Sequence, residues 1–116
     1  MIKELQLDGF KLSYTSEGEG SDVLLLHGFP SNMFFWNNIK NDLLSNYRVT
    51  VVEQRGYPLS SLENAKNTDF NIEFLSKDIE YLIDVLNLNR KLIIVGHDWG
   101  SIVAWAIVSR GNVDIE

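Results

Sequence analysis

The sequence predicts an α/β fold: a mostly parallel sheet entered by an N-terminal β-hairpin, with helices on both faces. Three observations carry this. Apolar runs of strand length recur at residues 23–26, 47–52 and 91–95. Helical spacing of apolar residues follows each run, and such alternation requires crossovers and parallel strands. Ahead of them, two alternating runs flank Asp8-Gly9, a dipeptide that tolerates the positive φ of a tight hairpin turn.

The elements follow in order. "IKELQL" and "FKLSYT" are the hairpin strands, and "EGEGSD" is a loop. "VLLL" is apolar without alternation, as expected of a strand covered on both sides. It runs into "HGFPSN". Phe35, Trp36, Ile39, Leu43 and Leu44 then recur at helical spacing, with Phe35 and Trp36 expected in the core. "YRVTVV" is a β-branched strand ending in "EQRGYPLSS", a run of turn formers. A helix is predicted over residues 72–86. Asn71 is its N-cap, and Ile72, Leu75, Ile79, Leu82, Ile83 and Leu86 form one stripe. Glu73, Asp78, Glu80 and Asp84 read as its solvated face. "KLIIV" is the third buried strand. Residues 101–110 form a helix that is apolar on nearly all sides and so is expected to be buried.

Composition narrows the function classes. With 116 residues the chain makes one small domain. A composition 45% hydrophobic and 22% charged is that of an ordinary globular protein. A formal net charge of −6 disfavours nucleic acid and anionic membranes as partners. No apolar run approaches the roughly 20 residues of a membrane span. "MIKELQLDGF" lacks the apolar segment of a signal peptide. The chain has no cysteine, hence no disulfide and no thiolate chemistry. The expected location is the cytoplasm. No cofactor and no metal site is expected.

In a parallel sheet, chemistry gathers at the carboxyl ends of the strands. "HGFP", "EQRGY" and "GHDWG" each follow a strand directly, so the three loops should meet at one edge. The last has the form Gly-x-nucleophile-x-Gly between a buried strand and a helix, a nucleophile elbow. Gly96 and Gly100 must be small because strand and helix backbones approach closely there. Asp98 sits at the tip, at a helix N-terminus that favours its charged form. Taken alone, the turn is equally compatible with Asp98 as an ordinary N-cap. The second glycine, the buried strand before it and the "HGFP" loop, where oxyanion donors would be needed, favour the nucleophile.

A carboxylate at this place selects its electrophile. Serine attacking a saturated carbon leaves an ether, which water does not cleave. A carboxylate leaves an ester, which water can hydrolyse. An elbow aspartate therefore points to a tetrahedral carbon bearing a leaving group, an epoxide or an alkyl halide.

"HGFP" before a Trp-bearing helix, "RGY" after the next strand and "GHDWGS" after the third resemble the N-terminal half of an α/β-hydrolase of the soluble epoxide hydrolase branch. The resemblance implies that Asp98 is alkylated by an apolar epoxide, which leaves as a diol. It implies that the backbone N–H groups of Phe29 and Trp99 form the oxyanion hole for ester hydrolysis. The Trp99 indole would line the pocket and could face a leaving halide. His27, Gly28 and Pro30 would shape the oxyanion loop, with a cis Phe29-Pro30 bond. Phe29 favours the epoxide, because haloalkane dehalogenases typically carry asparagine there. Fluoroacetate dehalogenases usually have arginine where Trp99 stands. A haloalkane or haloacid dehalogenase is the alternative within the class. A non-catalytic remnant or interaction module is the alternative outside it.

Other residues read as support. His97 is taken as structural, with its ring turned from the reacting face, and His27 as a hydrogen-bonded organiser of its loop. Arg55 either orders its loop through acids such as Glu53 or is a solvated charge. The family usually has aspartate at Glu53 and glycine at Pro58, which makes the shape of this loop an open question. Neither histidine suits the base of the second step, and Tyr14, Tyr47, Tyr57 and Tyr81 do not correspond to the family's cap tyrosines. Residues 1–116 are therefore expected to be a partial α/β-hydrolase domain without the cap domain and C-terminal strands. The strand over residues 91–95 would lie on an open edge, beside a partly uncovered apolar helix, and invite self-association.

Overall fold

A computed structural model describes residues 1–7, 10–57, 59–60, 71–88 and 90–116. The Asp8-Gly9 turn and Pro58 lie outside these residues. The chain runs β1 (Lys3–Leu7), β2 (Phe10–Glu17), β3 (Ser21–Leu26), a 3₁₀ turn (Met33–Trp36), α1 (Asn37–Leu43), β4 (Tyr47–Glu53), α2 (Ile72–Val85), β5 (Ile93–Gly96) and α3 (Trp99–Arg110). Five strands form one mixed sheet in the order β1-β2-β4-β3-β5. β1 and β2 pair antiparallel with Leu7 opposite Phe10, the register of a two-residue hairpin. β2 pairs antiparallel with β4, whereas β4, β3 and β5 are mutually parallel.

Two apolar layers explain the unalternating strands. Leu24, Leu26 and Val52 face α2 and α3 with Ile79, Leu82, Ile83, Val103 and Ile107. Val23, Leu25, Val49 and Val51 face the opposite side with Met33 and Trp36. Successive side chains of β3 thus enter different cores, and each side of the sheet carries a helical layer. Asn71 caps α2, its side chain accepting from the Phe74 amide at 2.9 Å.

Several expectations need correction. The third apolar run is not the buried strand its composition suggested: β5 stands at the sheet edge, the place expected from the resemblance, half-exposed along its length with Val95 37% exposed. α3 is not buried on all sides. Gly100, Val103 and Ile107 face inward, whereas Ile102, Trp105 and Val108 face solvent. Phe35 and Ile39 are exposed; within that predicted stripe only Trp36 is fully buried, with Leu43 and Leu44 packed at its margin. Asp78 does not belong to a solvated face, being 7% exposed. The cause is common to all. One-dimensional periodicity counts apolar residues, and burial depends on which neighbours the sheet supplies.

The open edge is partly engaged by the chain's last residues. Leu92 N–H donates to Asp114 O (2.8 Å) and Glu116 N–H to Leu92 O (3.0 Å), a parallel bridge between Leu92 and Ile115. No helix among the described residues is long and apolar enough to cross a membrane.

Candidate active site

Because β3, β4 and β5 run parallel side by side, the loops after them emerge together. They enclose a cleft of about 320 Å³ lined by Phe29, Gln54, Arg55, Gly56, Tyr57, Leu75 and Trp99. The convergence expected of "HGFP", "EQRGY" and "GHDWG" is therefore present, and α2 adds Leu75.

The β5–α3 turn is built by close approach. A Cβ on Gly100 would lie 2.2 Å from Leu26 O, and one on Gly96 would lie 2.5 Å from Gly100 O. A Cβ on Gly28 would meet Asp98 Cβ at 2.5 Å. His97 N–H donates to Leu26 O (3.1 Å), tying the turn to the end of β3. Asp98 has φ 57° and ψ −121°, a region sparsely occupied by residues other than glycine. Gly100 N–H bonds to His97 O (2.9 Å), and Ser101 gives its N–H (2.9 Å) and its hydroxyl (2.6 Å) to Asp98 O.

The Asp98 side chain makes no capping bond to α3. Its Oδ2 instead accepts from the Phe29 N–H of the loop after β3 at 3.1 Å, while Asp98 itself lies beside the cleft-lining Trp99. The Phe29 amide and then the Trp99 amide hold this carboxyl below the usual carboxylate range, although the side chain is exposed. The arrangement delivers an ionised carboxylate facing two backbone donors from different loops.

His27 is fully buried. Its Nε2 accepts from Gln54 N–H (3.0 Å), so Nδ1 carries the proton and donates to Gly28 O (3.0 Å). Gln54 Nε2 donates back to His27 O (2.6 Å). Burial lowers the His27 pKa, in keeping with a neutral ring whose nitrogens are both engaged. His97 is exposed and stacks on Phe35, with ring centroids 4.8 Å apart, and does not line the cleft. Gly28 is buried against Asp98, Pro30 is exposed, and the Phe29-Pro30 bond is cis.

Arg55 follows neither sequence reading. Its Nε and Nη2 each donate at 2.8 Å to the two carboxylate oxygens of Asp78 on α2, and the guanidinium lies 5.4 Å from the Phe74 ring centre. Both side chains are at most 10% exposed. Burial pushes the Asp78 carboxyl up and the two bonds from Arg55 oppose it. Asp78 was legible in principle, since it lies three residues after Leu75 and one before Ile79 on the buried stripe. Glu53 is buried and accepts from Met33 N–H (3.2 Å) and Leu59 N–H, so it, not Arg55, ties the loop after β4 to the segment after β3. Tyr57 is the cleft residue that motif reading passed over.

A family model described as the alpha/beta hydrolase fold matches residues 23–113. Among curated proteins the chain is 31% identical over 106 residues to a cis-3-alkyl-4-alkyloxetan-2-one decarboxylase of Shewanella oneidensis, covering 91% of this chain and 33% of that protein. It is 35% identical over 101 residues to epoxide hydrolase 4 of Mus musculus, covering 85% and 28%. Among solved structures, an epoxide hydrolase from Vigna radiata superposes with a TM-score of 0.90 at 32% identity, over 99% of this chain and 37% of that one. The chain thus spans about a third of the length of these relatives. On its sheet order, its cleft and these matches, the chain belongs to the α/β-hydrolase fold family and is similar to the N-terminal part of epoxide hydrolase-like members.

Proposed function

We propose that this chain carries the nucleophile and oxyanion loops of an epoxide-opening hydrolase, with Asp98 as the nucleophile. The reading rests on one observation above others. The Asp98 carboxylate is exposed beside the cleft residues Phe29 and Trp99 and is held by the Phe29 amide of another loop, without the side-chain capping bond an ordinary N-cap makes. Because Oδ2 is tethered, Oδ1 is the oxygen positioned to attack. Its lone pair forms a bond to an epoxide carbon, the carbon–oxygen bond of the ring breaks, and the released alkoxide takes up a proton. The product is an alkyl ester of Asp98.

In the second step water adds to the ester carbonyl carbon and passes a proton to a base. Negative charge collects on the carbonyl oxygen, the former Oδ2, which the Phe29 amide already faces and which the Trp99 amide, also bonded to this carboxyl, would support. Collapse breaks the acyl–oxygen bond, releases a diol and restores the carboxylate. Neither histidine serves as the base, His27 because both its nitrogens are engaged and His97 because it stacks on Phe35 away from the cleft. The 116-residue chain is therefore expected to stop at the ester.

Intact mass after incubation with styrene oxide tests this. One added epoxide mass, mapped by peptide fragmentation to Asp98 and missing from both Asp98→Asn and Asp98→Ala, is the expected result. No adduct, or one that survives in those variants, overturns the reading.

A further inference from the structure

Besides the exposed Trp99, three side chains with polar groups line the cleft: Gln54, Arg55 and Tyr57. Gln54 is committed to His27 O and Arg55 to Asp78. The Tyr57 hydroxyl makes no hydrogen bond among the described residues. Yet the residue is held firmly. Its N–H donates to Gln54 O (3.2 Å) and its carbonyl accepts from Ser60 N–H (2.8 Å). Its ring stands edge-on to His27, with centroids 4.5 Å apart at 77°, and His27 is itself fixed at both nitrogens. A positioned phenol with an uncommitted hydroxyl, within electrostatic reach of the Asp98 carboxylate, is a donor awaiting an acceptor.

We propose that Tyr57 contacts the bound molecule directly, its hydroxyl donating a hydrogen bond to an ether-type oxygen and so selecting oxygen-bearing ligands over hydrocarbon isosteres. The proposal deepens the reading of this cleft as a substrate site. The neighbouring charges favour the donor state: burial, then Asp98 and Glu53, push the phenol pKa up, so the proton stays on oxygen. Asp98 ionised is acceptor-only and cannot bind an ether oxygen, and the Phe29 amide is already occupied by Asp98. The other uncommitted donor of the cleft, the Trp99 indole, sits on a side chain 45% exposed at the rim, where water competes.

The test uses two ligands of matched shape, 3-phenyloxetane with a ring oxygen and phenylcyclobutane without one, with intact mass confirming that neither has formed an ester on Asp98 during the titration. Each is titrated into the 116-residue chain and into Tyr57→Phe, following amide and indole NMR shifts of Gly56 and Trp99. The wild-type chain should bind the oxetane about three- to tenfold more tightly, the range of one neutral hydrogen bond. Tyr57→Phe should erase that preference while leaving phenylcyclobutane affinity unchanged, which also shows that the variant is folded. Equal affinities in the wild type, a preference that persists in Tyr57→Phe, or no binding of either ligand overturns the proposal. Neither ligand reports on ester formation. Adducts on Asp98 with no oxygen preference would sink only the role of Tyr57; the preference without adducts would sink only the nucleophile.

Discussion

Replacing Gly100 by alanine sets two effects of opposite sign against each other. Gly100 lies in the first turn of α3 with no positive φ, so alanine should favour the helix by up to about 1 kcal/mol. The added Cβ, however, would lie 2.2 Å from Leu26 O and 2.7 Å from His27 O, both backbone atoms of the β3 end. A relaxed carbon–oxygen contact needs roughly 3.3 Å, so helix and strand must separate by about 1 Å. Overpacking against backbone sits at the upper end of the usual range, about 3 kcal/mol. The clash wins by about 2 kcal/mol, which for a domain of this size lowers the melting temperature by about 8–16 °C. Far-UV circular dichroism melts of the two chains read the shift. The same displacement would carry the Trp99 amide from Asp98, so styrene oxide labelling should slow as well. A variant that melts at or above the wild type would show that α3 does not abut β3 as described, and the elbow with it.

Other expectations follow from the remaining contacts. Asp78→Ala removes both oxygens that receive the Arg55 guanidinium in a buried setting and should cost about 3 kcal/mol in urea unfolding; a change under about 0.5 kcal/mol would place that pair in solvent. The lowered His27 pKa means that the unfolded chain binds a proton the folded chain refuses. Its contribution to stability is full above the unfolded value near 6.5 and is lost as pH falls below it, by up to about 1.4 kcal/mol per unit. ¹⁵N shifts should show the neutral Nδ1–H tautomer persisting to lower pH in the folded chain than in the urea-unfolded one, and a ring that protonates at the same or higher pH would contradict the two bonds assigned to it. The β5 edge and the exposed Val95, Ile102, Trp105 and Val108 should make the chain associate, with Val95→Lys combined with Trp105→Lys restoring the monomer. A sharp, concentration-independent monomer peak for the wild type in sizing would refute this.

The sequence made the strand and helix order legible because each element carried its own period. The loops were legible because turn formers directly followed apolar runs. Asn71 announced a cap, and the glycines at 96 and 100 announced an approach of backbones that the structure realises at Gly100 against Leu26. What periodicity could not supply was the neighbour list. β5 has the composition of a central strand but stands at the edge, and α3 has a buried helix's composition with only one face covered; both were foreseen from the resemblance's strand order, not from periodicity. Asp78 carries a charge, which reads as solvated until Arg55, 23 residues earlier, is placed opposite it. Tyr57 lies in the quoted "RGY" loop, but that its hydroxyl finds no hydrogen-bond partner among the described residues is a property of three dimensions.

Backbone strain bears on whether Asp98 is there for capping or for chemistry. An N-cap aspartate takes an extended backbone and bonds to amides two or three residues ahead, at no conformational cost. Asn71 does so at α2, with φ −77° and ψ 162° and its side chain on Phe74. Asp98 occupies the equivalent place at α3 with φ 57°, which costs on the order of 1–3 kcal/mol, and forgoes the capping bond. A residue selected only to start a helix would have relaxed to the Asn71 geometry, which this same chain shows to be accessible. The strained form gains something else: it brings the carboxylate to an amide 69 residues earlier in the chain. That contact is possible because Gly28 has no Cβ to strike Asp98. Two positions far apart in sequence are thus shaped for one oxygen atom, and helix initiation explains neither.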